Sequence, residues 1–345
     1  MDGLDQTATM VYVSNADSKE IYVLSLENRN GAVTLVQRAP VTGAVMPLAI
    51  SPNRRLLYAA LRSRPFSVFT FEIAPTTGRL RFLSATPLAD NMAYISTDRT
   101  GRFLFGASYT GDKISINAIG EQGVVQAPPV QVTSTPPHPH SIVVDPSNAY
   151  VLIACTGGDR ILQLKFNQAT GAAAPNAPPF VETERDAGPR HIVFHPNGRF
   201  VHTTNELDAT VNTYRFDVET GTLTPAATAS ALPPAFEGGA PFASADLHVT
   251  PDGRFLYASE RASNTLACFR IDARGGALTA IGSVPTEQPP RGFNIDPRGR
   301  FVLAVGQTSN SMTSYAIDQE TGTLTPLRRY SMGNNPNWVE IIDIP

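Results

Sequence analysis

The sequence predicts an all-β fold, a seven-bladed β-propeller with a split blade closed by both termini, as one domain over residues 1–345. Three observations predict it. A Pro/Asn/Gly turn recurs along the chain as SPNRRL at Pro52, DRTGRF at Arg99, DPSNAY at Pro146, HPNGRF at Pro196, TPDGRF at Pro251 and DPRGRF at Pro297, with successive spacings of 47, 47, 50, 55 and 46 residues. A period of that size, with several short strands in each unit, is how propeller blades repeat. A second hairpin recurs as VETGTLTP and QETGTLTP, ending at Pro225 and Pro326. Partial repeats stand at both ends of the chain.

Each unit reads alike. An apolar inner strand (HIVF) runs into the turn, and a β-rich second strand (RFVHTTN) leaves it. A polar loop then leads to a third strand (TVNTYRFD) and through a Thr-Gly turn to a short fourth (TLTP). Gly221 and Gly322 stand where that tight turn requires positive φ. The split blade takes outer strands from MVYVSN and its inner strand from NWVEIID, Asn337 to Asp343, which removes the exposed edges of an open sheet.

Composition narrows the function. With 42% hydrophobic residues, 17% charged and a formal net charge of −3, the chain can bury a large core and has no electrostatic footprint for nucleic acid. The opening MDGLDQTATMVYVSN carries acidic residues where a signal peptide needs basic ones, so a cytoplasmic location is expected. No run is long enough for a membrane span. Cys155 and Cys268 lie in strand-like runs and read as buried free thiols. HExxH, a Gly-rich phosphate loop, GxSxG and clustered His/Cys ligands are all missing, which favours chemistry without metal or cofactor. The GH…WD signature of protein-binding blades is missing too.

A propeller places equivalent positions at one height, so function is sought across repeats. Six residues before the turn, at the head of the inner strand, stand Met46, Ala93, His140, Arg190, Ala245, Arg291 and, in the split blade, Asn337. Two and four residues before the turn the positions are apolar. Ten residues after it, in the loop joining the second and third strands, stand Arg62, Tyr109, Thr156, Glu206, Arg261 and Gln307. Two antiparallel steps bring both rings to one mouth, where His140, Arg190, Glu206, Arg261 and Arg291 converge with Arg62 across from them. Any one of these alone reads as a solvated rim residue. Four arginines around one opening repel each other and call for an anion. His195 holds a turn position filled elsewhere by Asp or Ser and reads as structural, while His191 and His248 are candidates behind the mouth.

AGPRHIVFHP (187–196), NELD (205–208), DLHVTPDGRFLYASER (246–261), PPRGFNIDPRGRF (289–301), NPNWV (335–339), YISTD (94–98) and SYTG (108–111) together resemble the propeller-type lactonase family of the bacterial 6-phosphogluconolactonases. The wider family includes fungal carboxymuconate lactonising enzymes. The resemblance extends along essentially the whole chain. It implies hydrolysis of a sugar lactone, with a place in the pentose phosphate pathway, a small anionic lactone as partner and neither metal nor cofactor. The family's active-site His, Arg, Glu and second Arg fall on His140, Arg190, Glu206 and Arg261, and Arg291 is similar to a further mouth residue. One departure is Tyr94, where family members often carry His.

On that resemblance, water attacks the lactone carbonyl, which needs a base and donors for the oxyanion. His140, titrating near neutrality, is expected to be the base, with Glu206, depressed among arginines, orienting water or an arginine; the opposite assignment stays open. Arg190 is the expected oxyanion donor, and Arg261 and Arg291 hold a phosphate or carboxylate. Arg62, Tyr109, His191 and His248 complete the expected substrate-binding set. A lyase forming or opening a muconolactone and a non-enzymatic propeller scaffold remain as alternatives.

Overall fold

In the computed structural model, which describes residues 8–234, 236–239 and 241–344, seven four-stranded antiparallel sheets follow one another around a ring. Blades 1 to 6 open with the inner strands Val45–Ile50, Tyr94–Thr97, Pro139–Val144, Pro189–Phe194, Ser244–Val249 and Pro290–Ile295. Blade 7 is the split one. Pro336–Ile344 is its inner strand and pairs with Ala8–Asn15, followed by Glu20–Leu26 and Val33–Pro40. Among the described residues no helix is long and apolar enough to cross a membrane. Cys155 and Cys268 are buried free thiols, as expected.

The six repeated turns share one set of bonds. In blade 4, His195 N–H donates to Phe200 O and Gly198 N–H to His195 O, and the same pair recurs from Ser51, Asp98, Asp145, Thr250 and Asp296. The residue before each turn also caps it with its side chain. Asp98, Asp145 and Asp296 accept from backbone N–H groups of the turn, and His195 Nδ1 accepts from Asn197 N–H, so His195 does an aspartate's work.

The two repeated motifs meet each other across blade boundaries. The large residue opening the second strand of one blade lies on the glycine of the outer hairpin in the next: Phe103 on Gly171, Tyr150 on Gly221, Phe200 on Gly276, Phe255 on Gly322 and Phe301 on Gly31. Met10 on Gly78 and Leu56 on Gly123 complete the ring. Gly221 shows why glycine is required. Its φ is +67, and a Cβ there would stand 2.0 Å from the Tyr150 ring. The buried rings of Phe103, Phe200, Phe255 and Phe301 each contribute roughly 1.5–3 kcal/mol. Between blades 3 and 4, a cluster including Leu152, Ile192, Val201 and Tyr214 fills the core from alternate positions of the inner, second and third strands.

Candidate active site

At the opposite rim the chain does something the repeat pattern did not disclose. The register of the inner strand against the second strand slips at its head in six blades, at His140 (between Pro139 and Ser141), Arg190 (between Pro189 and His191), Arg291 (between Pro290 and Gly292), Met46–Pro47, Ala245–Asp246 and Asn337. These are β-bulges, which re-aim a side chain that strict alternation would send between the blades. In four of the six the bulge falls on a polar head residue: His140, Arg190, Arg291 and Asn337. Blade 2 has no such slip, and Tyr94 pairs regularly with Ala107.

The loop after the second strand is tied to the same rim by backbone bonds. Glu206 N–H donates to Gly188 O at 2.7 Å, Arg261 N–H to Ala243 O at 3.3 Å and Arg62 N–H to Ala44 O at 2.8 Å. Glu206 therefore lies between two arginines. Arg261 Nη2 donates to its Oε1 at 2.5 Å, and Arg190 Nε sits 3.3 Å from its Oε2. The second contact is an ion pair without hydrogen-bond alignment, which leaves Glu206 Oε2 and Arg190 Nε each unbonded among the described residues. Arg190 is 1% exposed and also donates through Nη1 to Ala245 O. Arg261 Nε donates to Ala243 O at 2.6 Å. No hydrogen bond or ion pair reaches the Arg291 side chain among the described residues, although it lies in the field of Arg190, Arg261 and Arg62.

That charge density sets the protonation states. Burial lowers Arg190 to about 10, partly offset by Glu206, so it stays charged at neutral pH. Burial and then Arg190, Arg261 and Arg62 push Arg291 well down. Burial alone would raise Glu206, but Arg190 and Arg261 outweigh it and hold the carboxyl below its ordinary value. For His140 the expectation of titration near neutrality does not hold. Burial, then Arg190, His191 and Arg291, drive it well below the ordinary value.

The remaining expected residues fall in three places. Tyr109 is at the mouth, its ring 5.6 Å from His140 and stacked at 4.3 Å on His138. Arg62 reaches toward the mouth from blade 1, its Nε donating to Asn91 Oδ1 at 2.8 Å. His191 and His248 lie deeper. Both contact Asp246: His191 Nδ1 stands 2.8 Å from Oδ1 and His248 Nε2 3.3 Å from Oδ2. Burial would lift the Asp246 carboxyl, yet His248 and His191 hold it far below its usual range. Tyr94 floors the mouth, its ring edge-on to His191 and to Trp338, both at 5.2 Å.

Sequence reasoning passed over Asp246, His138, Trp338 and Glu340. Asp246 was readable as a carboxylate one position inside the head ring, in DLHVT. Glu340, two residues beyond Trp338, accepts from the Trp338 indole at 2.9 Å, and burial raises it to about 7. Among the described residues no group of three or more His, Cys, Asp or Glu side chains is arranged to hold a metal ion. A separate cavity of about 1060 Å³ opens on the turn rim, between blades 1 and 2, and contains none of these mouth residues.

The mouth is thus a concentration of cations around one carboxylate, with His140 and His191 held neutral beneath, suited to binding an anion and to stabilising negative charge that develops on oxygen. Comparison with known proteins agrees with that chemistry. The sequence profile of the family described as "Lactonase, 7-bladed beta-propeller" matches residues 7–341. The 6-phosphogluconolactonase of Pectobacterium carotovorum is 40% identical over 96% of this chain and 98% of its own length. That of Yersinia pestis is 40% identical over 96% and 97%. Among solved structures, the periplasmic gluconolactonase of Pseudomonas aeruginosa superposes with a TM-score of 0.90 at 27% identity, over 98% of this chain and 100% of that one. The chain belongs to the lactonase family of seven-bladed β-propellers.

Proposed function

We propose that the protein hydrolyses 6-phosphogluconolactone to 6-phosphogluconate at this mouth. One observation carries the choice of substrate: among the described residues no hydrogen bond or ion pair reaches the Arg291 side chain, which feels Glu206 only through the field of the Arg190–Glu206–Arg261 cluster, a cation placed where an anionic substituent of the lactone would sit. Arg261 and Arg291 hold the phosphate. Arg190, fixed by Ala245 O and Glu206, donates to the carbonyl oxygen as it becomes an oxyanion. The bound anion offsets the arginine field that depresses His140, so His140 gains basicity as substrate arrives. It takes a proton from water as the water oxygen bonds to the carbonyl carbon. The bond from that carbon to the ring oxygen then breaks, and the ring oxygen leaves as a hydroxyl after receiving the proton. Glu206 Oε2, unbonded in the free site, orients the attacking water.

The test is to follow proton release by the purified, chelator-treated protein with freshly made 6-phosphogluconolactone, gluconolactone and carboxymuconate, each against its spontaneous background. The expected order is phosphorylated lactone well above unphosphorylated. No acceleration of either lactone, or turnover of carboxymuconate alone, overturns the proposal. His140→Ala is expected to lower kcat by roughly 10²–10⁴ with the fold retained. If Glu206→Gln is the inactive variant and His140→Ala is near normal, the two roles are exchanged.

A further inference from the structure

Two nitrogens beneath the mouth are buried and without a hydrogen-bond partner among the described residues: His140 Nδ1 and His191 Nε2. Leaving such a group unpaired away from water is costly, and two together in adjacent blades ask for one explanation. Their rings are 5.1 Å apart, centre to centre, tilted by 57°. That separation is about what a single N–H···N bond between two imidazoles needs, since each ring nitrogen lies about 1.2 Å from its centre and such bonds span about 3 Å. The two nitrogens are not aligned to bond in the free site, and a rotation of the His140 ring closes the gap.

Protonation supplies the direction. Asp246, held ionised, can only accept, so His191 Nδ1 must carry the proton it offers to Oδ1 at 2.8 Å. Leu247 N–H also donates to Oδ1, at 3.0 Å, and Phe293 N–H and His248 Nε2 lie at Oδ2, which fixes the carboxylate in place. Neutral His191 then has a bare Nε2. A bare acceptor beside an unpartnered His140 Nδ1 calls for the proton to sit on His140 Nδ1.

We propose that Asp246, His191 and His140, on the inner strands of three consecutive blades, form a relay that fixes the His140 tautomer with Nδ1 protonated and Nε2 bare for the attacking water. Asp246 and His191 are positioning residues in this arrangement. It rests on His140 being the base of the proposed hydrolysis. The other groups facing His191 are Tyr94 and Trp338, whose rings pack against it, and the cations Arg190 and Arg291; burial first, then these cations, lower His191 to about 4 against the opposing pull of Asp246.

The relay is read directly by long-range ¹H–¹⁵N correlation spectra of the ¹⁵N-labelled protein at neutral pH, which report which nitrogen of each histidine is protonated. The expected wild-type result is Nδ1–H on both His191 and His140. His191→Phe keeps the aromatic packing but removes the acceptor, and should release His140 toward Nε2–H and lower kcat about 10- to 100-fold with KM within about twofold. His191→Gln loses the ring but offers a carbonyl to His140 Nδ1, and should recover part of kcat. A packing role predicts the reverse order of the two variants. Nε2–H on His140 in the wild type, or His191→Phe at least as active as His191→Gln, overturns the relay. If His191→Phe does not fold, the wild-type spectrum alone decides. If the wild type turns over no lactone, the hydrolysis reading fails while the spectrum still decides the relay.

Discussion

The turn rim and the mouth rim are built from the same strands and follow opposite rules. At the turn rim the six blades whose inner and second strands are joined by a turn repeat the same bonds, and every blade boundary seats a large side chain on a glycine at positive φ. At the mouth the residues differ from blade to blade: His140, Arg190 and Arg291 stand where other blades have Met46 and Ala245. Repetition holds the ring together, and departure from it makes chemistry. Because the rims lie at opposite ends of each strand, mouth residues can vary without touching the joints.

Arg190 should strain that separation most. Arg190→Ala removes the proposed oxyanion donor and leaves Glu206 with one cation fewer, so kcat should fall by roughly 10²–10³ on phosphorylated and unphosphorylated lactones alike. Breaking a buried pair on one side also destabilises by about 3–5 kcal/mol, so its melting temperature should drop as well. If urea titration shows wild-type stability with the same loss of kcat, the pair contributes nothing to the fold and the division is cleaner than described.

Gly221→Ala acts at the other rim. The left-handed backbone penalises alanine by about 1–2 kcal/mol, and the contact with Tyr150 adds overpacking of about 1–3 kcal/mol. Unfolding should shift accordingly, while kcat and KM per folded molecule stay at wild-type values. A changed KM would mean that the joint reaches the mouth.

Arg291→Ala should affect recognition alone. A charge-assisted bond to phosphate contributes about 1.5–3 kcal/mol, so KM for the phosphorylated lactone should rise roughly ten- to over a hundredfold while the unphosphorylated one is little changed. Arg261→Ala should follow it. Equal losses on both lactones would remove phosphate recognition from these arginines.

The smallest effect is expected in the channel at Glu340, raised by burial to about 7. A folded carboxyl above its unfolded value favours the fold while protonated, and that contribution is lost as pH rises from the unfolded value through about 7. Glu340→Gln should therefore leave the melting temperature nearly unchanged at pH 5 and raise it by a few degrees at pH 8. A variant less stable than wild type at pH 8 would show that ionised Glu340 is paired rather than strained.

Much of this division was legible in the residues. The turn at Pro52, Arg99, Pro146, Pro196, Pro251 and Pro297 is written in side chains that only such a turn uses, so the blades could be counted and the mouth ring aligned. What stayed hidden depends on relations between strands. A bulge at Arg190 or Arg291 is a slip of one backbone against another, and no residue type marks it. The seating of Phe200 on Gly276 joins two motifs that are separately visible but belong to different blades. Asp246 meets His191 only because neighbouring inner strands stand side by side, and the low basicity of His140 follows from its burial and then from charges on blades 4 and 6.

The pairing of Ala8–Asn15 with Pro336–Ile344 also has a meaning in time. Thr9 bonds to Asp343 across 334 residues of chain, so at a synthesis rate of about 5–20 residues per second the first strand waits tens of seconds for its partner. Until then the floor beneath the mouth is missing a member, since Trp338 arrives on that last strand. It is the protein's only tryptophan, packed 5.2 Å from Tyr94 and 5.8 Å from His191. Its fluorescence is consequently a built-in clock for refolding: the emission should reach its native value only as the final strand locks, and catalytic competence should appear with the same rate constant.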